Sequence, residues 1–350
     1  MYKLPTKSAK PEMVTYEDIY NQSRKLLFKA NTRLTQDNID FLCEQQVNEL
    51  VLAEPNEVDM PRYMHLQTNS HFQRFSAQYM LSLSTFTNLV RTLDTGIQLN
   101  LSKFLSLRDD LMDVVMDGEQ LLDYLYNMMP DEHEITYNHC FNCGMMCYIF
   151  GKWLGFNDED LDNLTLAGFL FDVGKTKISD DLLWKPDKLT PEEYIQMQHH
   201  IHLGYELLKA RELPPHIISV MIMHHERLDG SGYPARIAGE RIDPFALIAA
   251  IADTYEAMTH SRAQRMALTP FQAIRVFEQQ GLETKYGKSI TPILTRIAKM
   301  YIGRRVCVTG NLEGRITEIH EEFLSHPTVF INNVESDLRT KQNAEVLRMI

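Results

Sequence analysis

The most informative stretch of this chain is His224-His225-Glu226-Arg227-Leu228-Asp229-Gly230-Ser231-Gly232-Tyr233-Pro234. Two adjacent histidines lead into an Asp-Gly-Xaa-Gly-Tyr-Pro turn. Gly230 and Gly232 permit positive φ or a close approach of the backbone, and Pro234 stiffens the exit from the turn. The turn can therefore place Asp229 and Tyr233 beside a ligand of the histidines. The alternative is an ordinary loop that closes a helix pair.

Further histidines and aspartates fall in segments that we predict to be helical. Imidazole and carboxylate suit iron, manganese or zinc, and such ions screen the charge of a phosphodiester during hydrolysis. Ligands on separate helices can converge in a bundle core. A single histidine or aspartate of this kind is more often a paired, capping or hydrogen-bonded group than a metal ligand. The evidence for a metal site is therefore the order in which these residues follow one another. Its members are His139, Asp172, His200, His224, His225 and Asp253.

The spacing of apolar residues predicts a mostly α protein. The clearest helices cover 168–173, 192–208, 215–225 and 244–259, and strand-like segments follow at 305–308, 314–319 and 328–331. Near the start, strands at 25–29 and 49–52 flank a helix capped by Thr35 or Asp37. We predict a small α/β N-terminal module over 1–60, connecting helices over 61–129, a helical domain over 130–302 and a small β appendage over 303–350.

The connecting segment carries apolar residues at helical spacing, including Phe72, Phe75, Tyr79 and Leu83. It could form a stalk, a dimerisation element of a homodimer, or part of the main domain.

The composition limits the possible partners. The chain has 350 residues, 44% hydrophobic and 23% charged, with a net charge of −12. So acidic a chain is a poor general binder of DNA or anionic membrane, and an anionic substrate would need a locally basic site. Five cysteines, three of them clustered, do not resemble a disulfide framework. This cysteine usage leads us to expect a reducing cytoplasm. We expect no membrane span, because no apolar run reaches about 18 residues.

The order of motifs over residues 130–300 resembles the HD-GYP branch of the HD-domain hydrolases. It runs His, Asp-Xaa-Gly-Lys, His, His-His-Glu, Asp-Gly-Xaa-Gly-Tyr-Pro and Asp. The stretches Lys185 to Glu193 and Ile251 to Thr259 also look like family segments. The resemblance implies an HD-type helical domain that binds divalent metal ions, iron or manganese, one or two per site. It also implies hydrolysis of cyclic di-GMP to pGpG or GMP.

The resemblance assigns roles to individual residues. The six histidines and aspartates above would be the metal ligands, with Asp172 as the bridging carboxylate. Lys175 would join Asp172 in catalysis near the phosphate. Arg262 and Arg265 would bind phosphate, and Asp229 and Tyr233 would lie beside the substrate.

One position departs from the family pattern. Phe171 stands where the family has the histidine of its His-Asp pair, and phenylalanine cannot bind a metal, so one ligand of the first metal position is absent. Cys143 shares a helix face with His139 and could supply the missing ligand as a thiolate, although a small buried thiol is the simpler alternative. His199 and His202 are expected to point away from His200.

Three functions therefore remain open. The first is a phosphodiesterase with retained or reduced activity. The second is a catalytically impaired receptor for cyclic di-GMP, and the third is a structural module that binds other signalling proteins.

Overall fold

The computed structural model describes residues 2–350 apart from 12, 17, 22–24, 29–31, 33, 53–65, 67, 97, 129–133, 184, 186–187, 261–266 and 342–343. The chain divides into two compact units, Met1–His65 and Leu66–Ile350. Unit 1 contains short strands and a helix, and unit 2 contains the helical body and the C-terminal sheet. The predicted fold class, mostly α with a small module at each end, is confirmed.

Unit 1 is a small α/β module. Its elements are β1 (Tyr2–Pro5), β2 (Ile19–Tyr20), β3 (Leu26–Phe28), α1 (Gln36–Glu44) and β4 (Glu49–Leu52). β1 pairs antiparallel with β4, and β2 with β3. Of the two predicted N-caps, Thr35 is the one observed, because its hydroxyl accepts from Asn38 N and the Asn38 side chain accepts from Thr35 N.

Helices form most of unit 2. They are α2 (Ser70–Arg91), α3 (Leu101–Met112), α4 (Gly118–Tyr126), α5 (Ile135–Trp153), α6 (Asp158–Leu170), α7 (Asp180–Leu183), α8 (Pro191–Gln198), α9 (His200–Leu208), α10 (Pro215–Met223), α11 (Pro244–Thr259), α12 (Pro270–Gln280), α13 (Leu282–Tyr286) and α14 (Ile290–Lys299). A 3₁₀ helix covers Val173–Lys177. The segment predicted as one helix over 192–208 is two helices. They separate at His199, whose N–H donates to Gln196 O three residues back rather than four.

α2 contributes its apolar face to the core of unit 2. Phe72, Phe75, Tyr79 and Leu83 are buried, as their spacing predicted. Tyr79 packs against Phe141 of α5 with ring centroids 5.5 Å apart. Of the three alternatives for the connecting segment, packing within the main helical body is the one that these contacts describe.

Two close backbone approaches bring α5, α6 and α9 near one another. A Cβ on Gly168 of α6 would lie 2.8 Å from the Cα of Gly144 on α5. A Cβ on Gly174 would lie only 1.9 Å from the carbonyl oxygen of His200. Because no larger residue fits at Gly174, the 3₁₀ helix that follows Asp172 lies directly against the start of α9.

The C-terminal part of unit 2 is a five-stranded antiparallel sheet. Its strands are β5 (Arg305–Val308), β6 (Leu312–His320), β7 (Phe323–Ile331), β8 (Val334–Asp337) and β9 (Val346–Met349), in the order β8-β7-β6-β5-β9. The predicted β appendage thus contains two more strands than its sequence pattern indicated. Among the described residues, no helix is both long and apolar enough to cross a membrane.

Candidate metal centre

Five segments of unit 2 bring the predicted ligands together. His139 lies in α5, Asp172 follows α6, His200 begins α9, His224 and His225 follow α10, and Asp253 lies in α11. His225 is partly buried and the others are buried. The described residues offer three groups of donors, of which one is His139, Cys143 and Glu256 and the other two consist of predicted ligands alone. The four-residue cluster is Asp172, His200, His224 and His225, and the three-residue cluster is His139, Asp172 and Asp253.

The four-residue cluster has its ligand atoms within 4.8 Å of one another. His200 Nε2 lies 3.2 Å and His224 Nε2 lies 3.5 Å from Asp172 Oδ1. The other ring nitrogens are already engaged, because His200 Nδ1 lies 2.6 Å from Met197 O and His224 Nδ1 lies 3.0 Å from Met221 O. Since a carbonyl oxygen only accepts, both Nδ1 atoms carry the hydrogen and both Nε2 atoms carry a lone pair.

These lone pairs test whether a metal ion fits. Asp172 Oδ1 and the Nε2 atoms of His200, His224 and His225 are buried without a hydrogen-bond partner in the part of the chain that the structure describes. Buried acceptors that face one another are unfavourable unless a cation lies between them. Three imidazoles and one carboxylate are a donor set suited to iron, manganese or zinc. The residues therefore fit a divalent transition metal ion.

The three-residue cluster shares Asp172 with the other group. His139 Nε2 lies 3.2 Å from Asp172 Oδ2 and 3.1 Å from Asp253 Oδ1. Asp172 thus presents one oxygen to each cluster. Lys175 Nζ forms an ion pair with the same Oδ2 atom.

Phe171 lies where this cluster lacks a donor. Its ring is 1% exposed. The ring centroid lies 5.7 Å from that of His139 and 4.8 Å from that of His224. Cys143 Sγ lies 3.8 Å from His139 Nδ1, which agrees with the shared helix face predicted for them. However, burial raises the pKa of the Cys143 thiol to about 12, so the thiol is neutral without a metal.

The electrostatics prepare the site for a cation at neutral pH. Burial opposes ionisation of Asp172, but the Lys175 ammonium and the hydrogen bond with His139 hold its pKa well below the usual range. Burial lowers the pKa of His200 to about 4. The carboxylate is therefore anionic and the imidazole neutral, which are the forms that bind metal ions.

The Gly-Tyr-Pro turn borders the four-residue cluster. The ring of Tyr233 stacks on that of His225, with centroids 4.4 Å apart. A Cβ on Gly232 would lie 2.4 Å from His225 O, so the turn needs glycine there. The Glu226 carboxylate, which the sequence did not single out, accepts from Ala235 N at 2.7 Å and from Ile237 N at 3.0 Å.

The other predicted residues lie in different surroundings. The Asp229 carboxylate accepts from Ser231 N at 2.9 Å within the turn. His199 and His202 are exposed, as expected, and line a groove of about 410 Å³ beside Pro234. Arg262 and Arg265 lie outside the described residues.

Comparisons with known proteins indicate the kind of domain that holds this centre. Residues 123–290 match the HD domain family. The chain is 34% identical over 143 residues to the cyclic di-GMP phosphodiesterase PA4108 of Pseudomonas aeruginosa. The matched residues make up 41% of this chain and 34% of that relative. It is 38% identical over 136 residues to the cyclic di-GMP phosphodiesterase response regulator RpfG of Xanthomonas campestris, covering 38% of this chain and 36% of the relative.

Two further matches widen the comparison. The 3′3′-cGAMP-specific phosphodiesterase 2 of Vibrio cholerae is 30% identical over 204 residues, which cover 58% of this chain and 38% of the relative. The solved structure of Bd1817, an HDG"Y"P protein from Bdellovibrio bacteriovorus, superposes with a TM-score of 0.52 at 14% identity, covering 85% of this chain and 99% of that one. This last likeness concerns the fold alone.

Residues 123–290 thus match an HD domain, and the cyclic di-GMP phosphodiesterases among the relatives support the resemblance to the HD-GYP branch that the motifs indicated. It spans little more than a third of the length of the three curated relatives named above.

Proposed function

We propose that this protein is a metal-dependent phosphodiesterase that hydrolyses cyclic di-GMP to pGpG or GMP, at a rate reduced by Phe171. One observation carries the proposal, namely the buried four-residue cluster with unpartnered ligand atoms. A donor set of three imidazoles and a carboxylate suits iron, manganese or zinc, and the resemblance to the HD-GYP branch favours iron or manganese, with one or two ions per site.

The chemistry divides between the metal and the chain. A bound divalent ion supplies Lewis acidity, which screens the phosphate charge and favours attack by water. Water adds across one P–O bond, so that its oxygen joins phosphorus and a proton goes to the leaving ribose oxygen. The Lys175 ammonium, anchored on Asp172, stabilises the developing negative charge. We assign phosphate binding to Arg262 and Arg265, and positions beside the substrate to Asp229 and Tyr233.

Chromatography of the reaction products tests the activity. Purified protein loaded with manganese or iron is incubated with cyclic di-GMP, and in parallel with 3′3′-cGAMP, because relatives named for both substrates match the chain. We expect linear products from cyclic di-GMP. Product no greater than that of a His224→Ala control would exclude hydrolysis.

A cyclic di-GMP receptor is the second candidate, and the buried Phe171 ring favours it. Calorimetry with cyclic di-GMP separates the two. Binding that is lost in Arg262→Ala, without turnover, identifies a receptor. Neither binding nor turnover would leave a structural module that interacts with other signalling proteins.

We further propose that the protein acts in the cytoplasm as a homodimer formed through the helices between residues 65 and 129. Exposed Met80 and Leu81 on α2 support this surface. Light scattering should give twice the mass of the chain, and a monomeric mass would refute the dimer.

A further inference from the structure

Behind His139 lies a chain of three buried polar side chains. His139 Nδ1 lies 2.5 Å from Glu256 Oε2. The other oxygen of that carboxylate accepts from Asn142 Nδ2 at 3.1 Å, and the Tyr79 hydroxyl donates to Asn142 Oδ1 at 2.8 Å. The chain joins α2, α5 and α11 to one nitrogen of a predicted metal ligand.

Burial makes these contacts depend on one another. Tyr79 and Asn142 are each 2% exposed, and Glu256 is 3% exposed. A buried polar group that loses its partner cannot recover a hydrogen bond from water, so removing the Tyr79 hydroxyl takes away the hydrogen bond that Asn142 Oδ1 accepts. His260 borders these side chains, with Nδ1 3.5 Å from Glu256 Oε1 and Nε2 3.4 Å from Asn142 Nδ2 and 2.9 Å from Leu125 O.

The contact with Glu256 also fixes which nitrogen of His139 would bind a metal ion. A carboxylate only accepts, so Nδ1 donates its hydrogen to Glu256, and Nε2 is the atom left for an ion. Nε2 faces the carboxylates of Asp172 and Asp253 in the three-residue cluster. Carboxylates that bond the far nitrogen of a metal-binding histidine orient the ring and raise its basicity.

One of these side chains, Tyr79, comes from outside the HD domain. Tyr79 lies in α2, outside residues 123–290 that match the HD domain. We propose that Tyr79, Asn142 and Glu256 form a positioning relay, through which α2 sets the orientation of His139 and with it the metal affinity of the three-residue cluster. The proposal rests on the proposed function only in taking His139 as a metal ligand.

Manganese titration of the metal-free protein tests the relay. Because the three-residue cluster has one donor fewer, its ion should bind in the weaker of two calorimetric phases. Losing a partner behind a ligating histidine commonly lowers affinity about 10- to 100-fold. We expect a weakening of that order for Glu256→Gln in the weaker phase, and smaller losses for Asn142→Leu and Tyr79→Phe, with the stronger phase unchanged.

The same variants are also made in a Phe171→His background. There the cluster has a fourth donor and should bind manganese more tightly, so the effect of each variant can be measured even where binding to the wild-type cluster is too weak to follow. Tyr255→Phe is the matched control, because it too removes a buried hydroxyl and that hydroxyl has no hydrogen-bond partner among the described residues. Thermal unfolding monitors the fold of each variant. A merely structural role would lower the melting temperature without changing manganese affinity.

Unchanged manganese affinity in folded Tyr79→Phe and Glu256→Gln would overturn the relay. An effect of Tyr255→Phe as large as that of Tyr79→Phe would overturn it as well. The outcome is separate from that of the proposed function, because manganese binding is measured without cyclic di-GMP. A protein without turnover whose weaker phase still responds to Tyr79→Phe would retain the relay and lose only the activity.

Discussion

Phe171→His restores the donor that the three-residue cluster lacks. The cluster offers His139, Asp172 and Asp253, whereas transition metal sites in proteins usually take four or more donors. The Phe171 ring already contacts the rings of His139 and His224, so an imidazole at this position points toward the same space. After dialysis we expect about one retained ion per wild-type chain and about two per Phe171→His chain.

The substitution also has a predictable effect on stability. It replaces a fully buried aromatic ring by a smaller polar one, which should lower the free energy of unfolding of the metal-free protein by about 2–4 kcal/mol. Manganese binds the folded state and should recover part of that loss. The recovery should be greater in the variant than in the wild type, because the variant binds the additional ion.

Mass spectrometry of the metal content and urea unfolding with and without manganese measure both effects. Phe169→His is the matched control, since Phe169 is equally buried but stacks on Phe141 within the aromatic core. It should be destabilised without gaining an ion. The reasoning is refuted if the wild-type chain already retains two ions, or if Phe171→His retains no more than the control.

Three further predictions concern the surroundings of the centre. Gly174→Ala should displace α9 and reduce metal retention, because its Cβ would lie 1.9 Å from His200 O, whereas Gly204→Ala meets a flexible thioether at 3.1 Å and should be mild; metal content after dialysis compares them. Glu226→Gln should speed hydrogen exchange at the two turn amides that the carboxylate holds, and unchanged exchange would contradict that role. In metal-free protein, His200 with a pKa of about 4 stays neutral while the unfolded chain takes up a proton below about pH 6.5. Protonation of His200 in the unfolded chain therefore leaves the free energy of unfolding unchanged above pH 6.5 and lowers it by about 3 kcal/mol as pH falls to about 4. Urea unfolding should show a smaller decrease over this pH range in His200→Gln.

Much of the centre could be predicted because its signals are local in sequence. The adjacent pair His224-His225 and the glycine turn identify the family within eleven residues, and the gap at Phe171 is visible beside Asp172. The convergence of the ligands followed from the resemblance, which places them on helices of one domain. The structure then supplied the distances that assign one oxygen of Asp172 to each cluster.

Other features could not be read from the sequence, for identifiable physical reasons. Tyr79 and Asn142 are 63 positions apart, and each alone looks like an ordinary polar residue in an apolar helix. The separation of α8 from α9 is marked by the hydrogen bond from His199 N to Gln196 O, which spans three residues where an α-helix spans four. β8 is short and largely polar, so its alternation carries little signal, and pairing with β7 defines it.

The two clusters differ in how their histidines are held, and this difference suggests where control of the centre acts. His200 and His224 donate from Nδ1 to carbonyl oxygens only three or four residues back along the chain. Their orientation therefore survives small helix movements. His139 instead donates to a side chain of α11, whose carboxylate is held in turn from α5 and α2. The three-residue cluster thus lacks a donor at Phe171 and also depends on contacts between helices. A small displacement of α2 would alter its occupancy while the four-residue cluster kept its ion, so the number of bound ions, rather than metal binding as such, is the property that α2 can regulate.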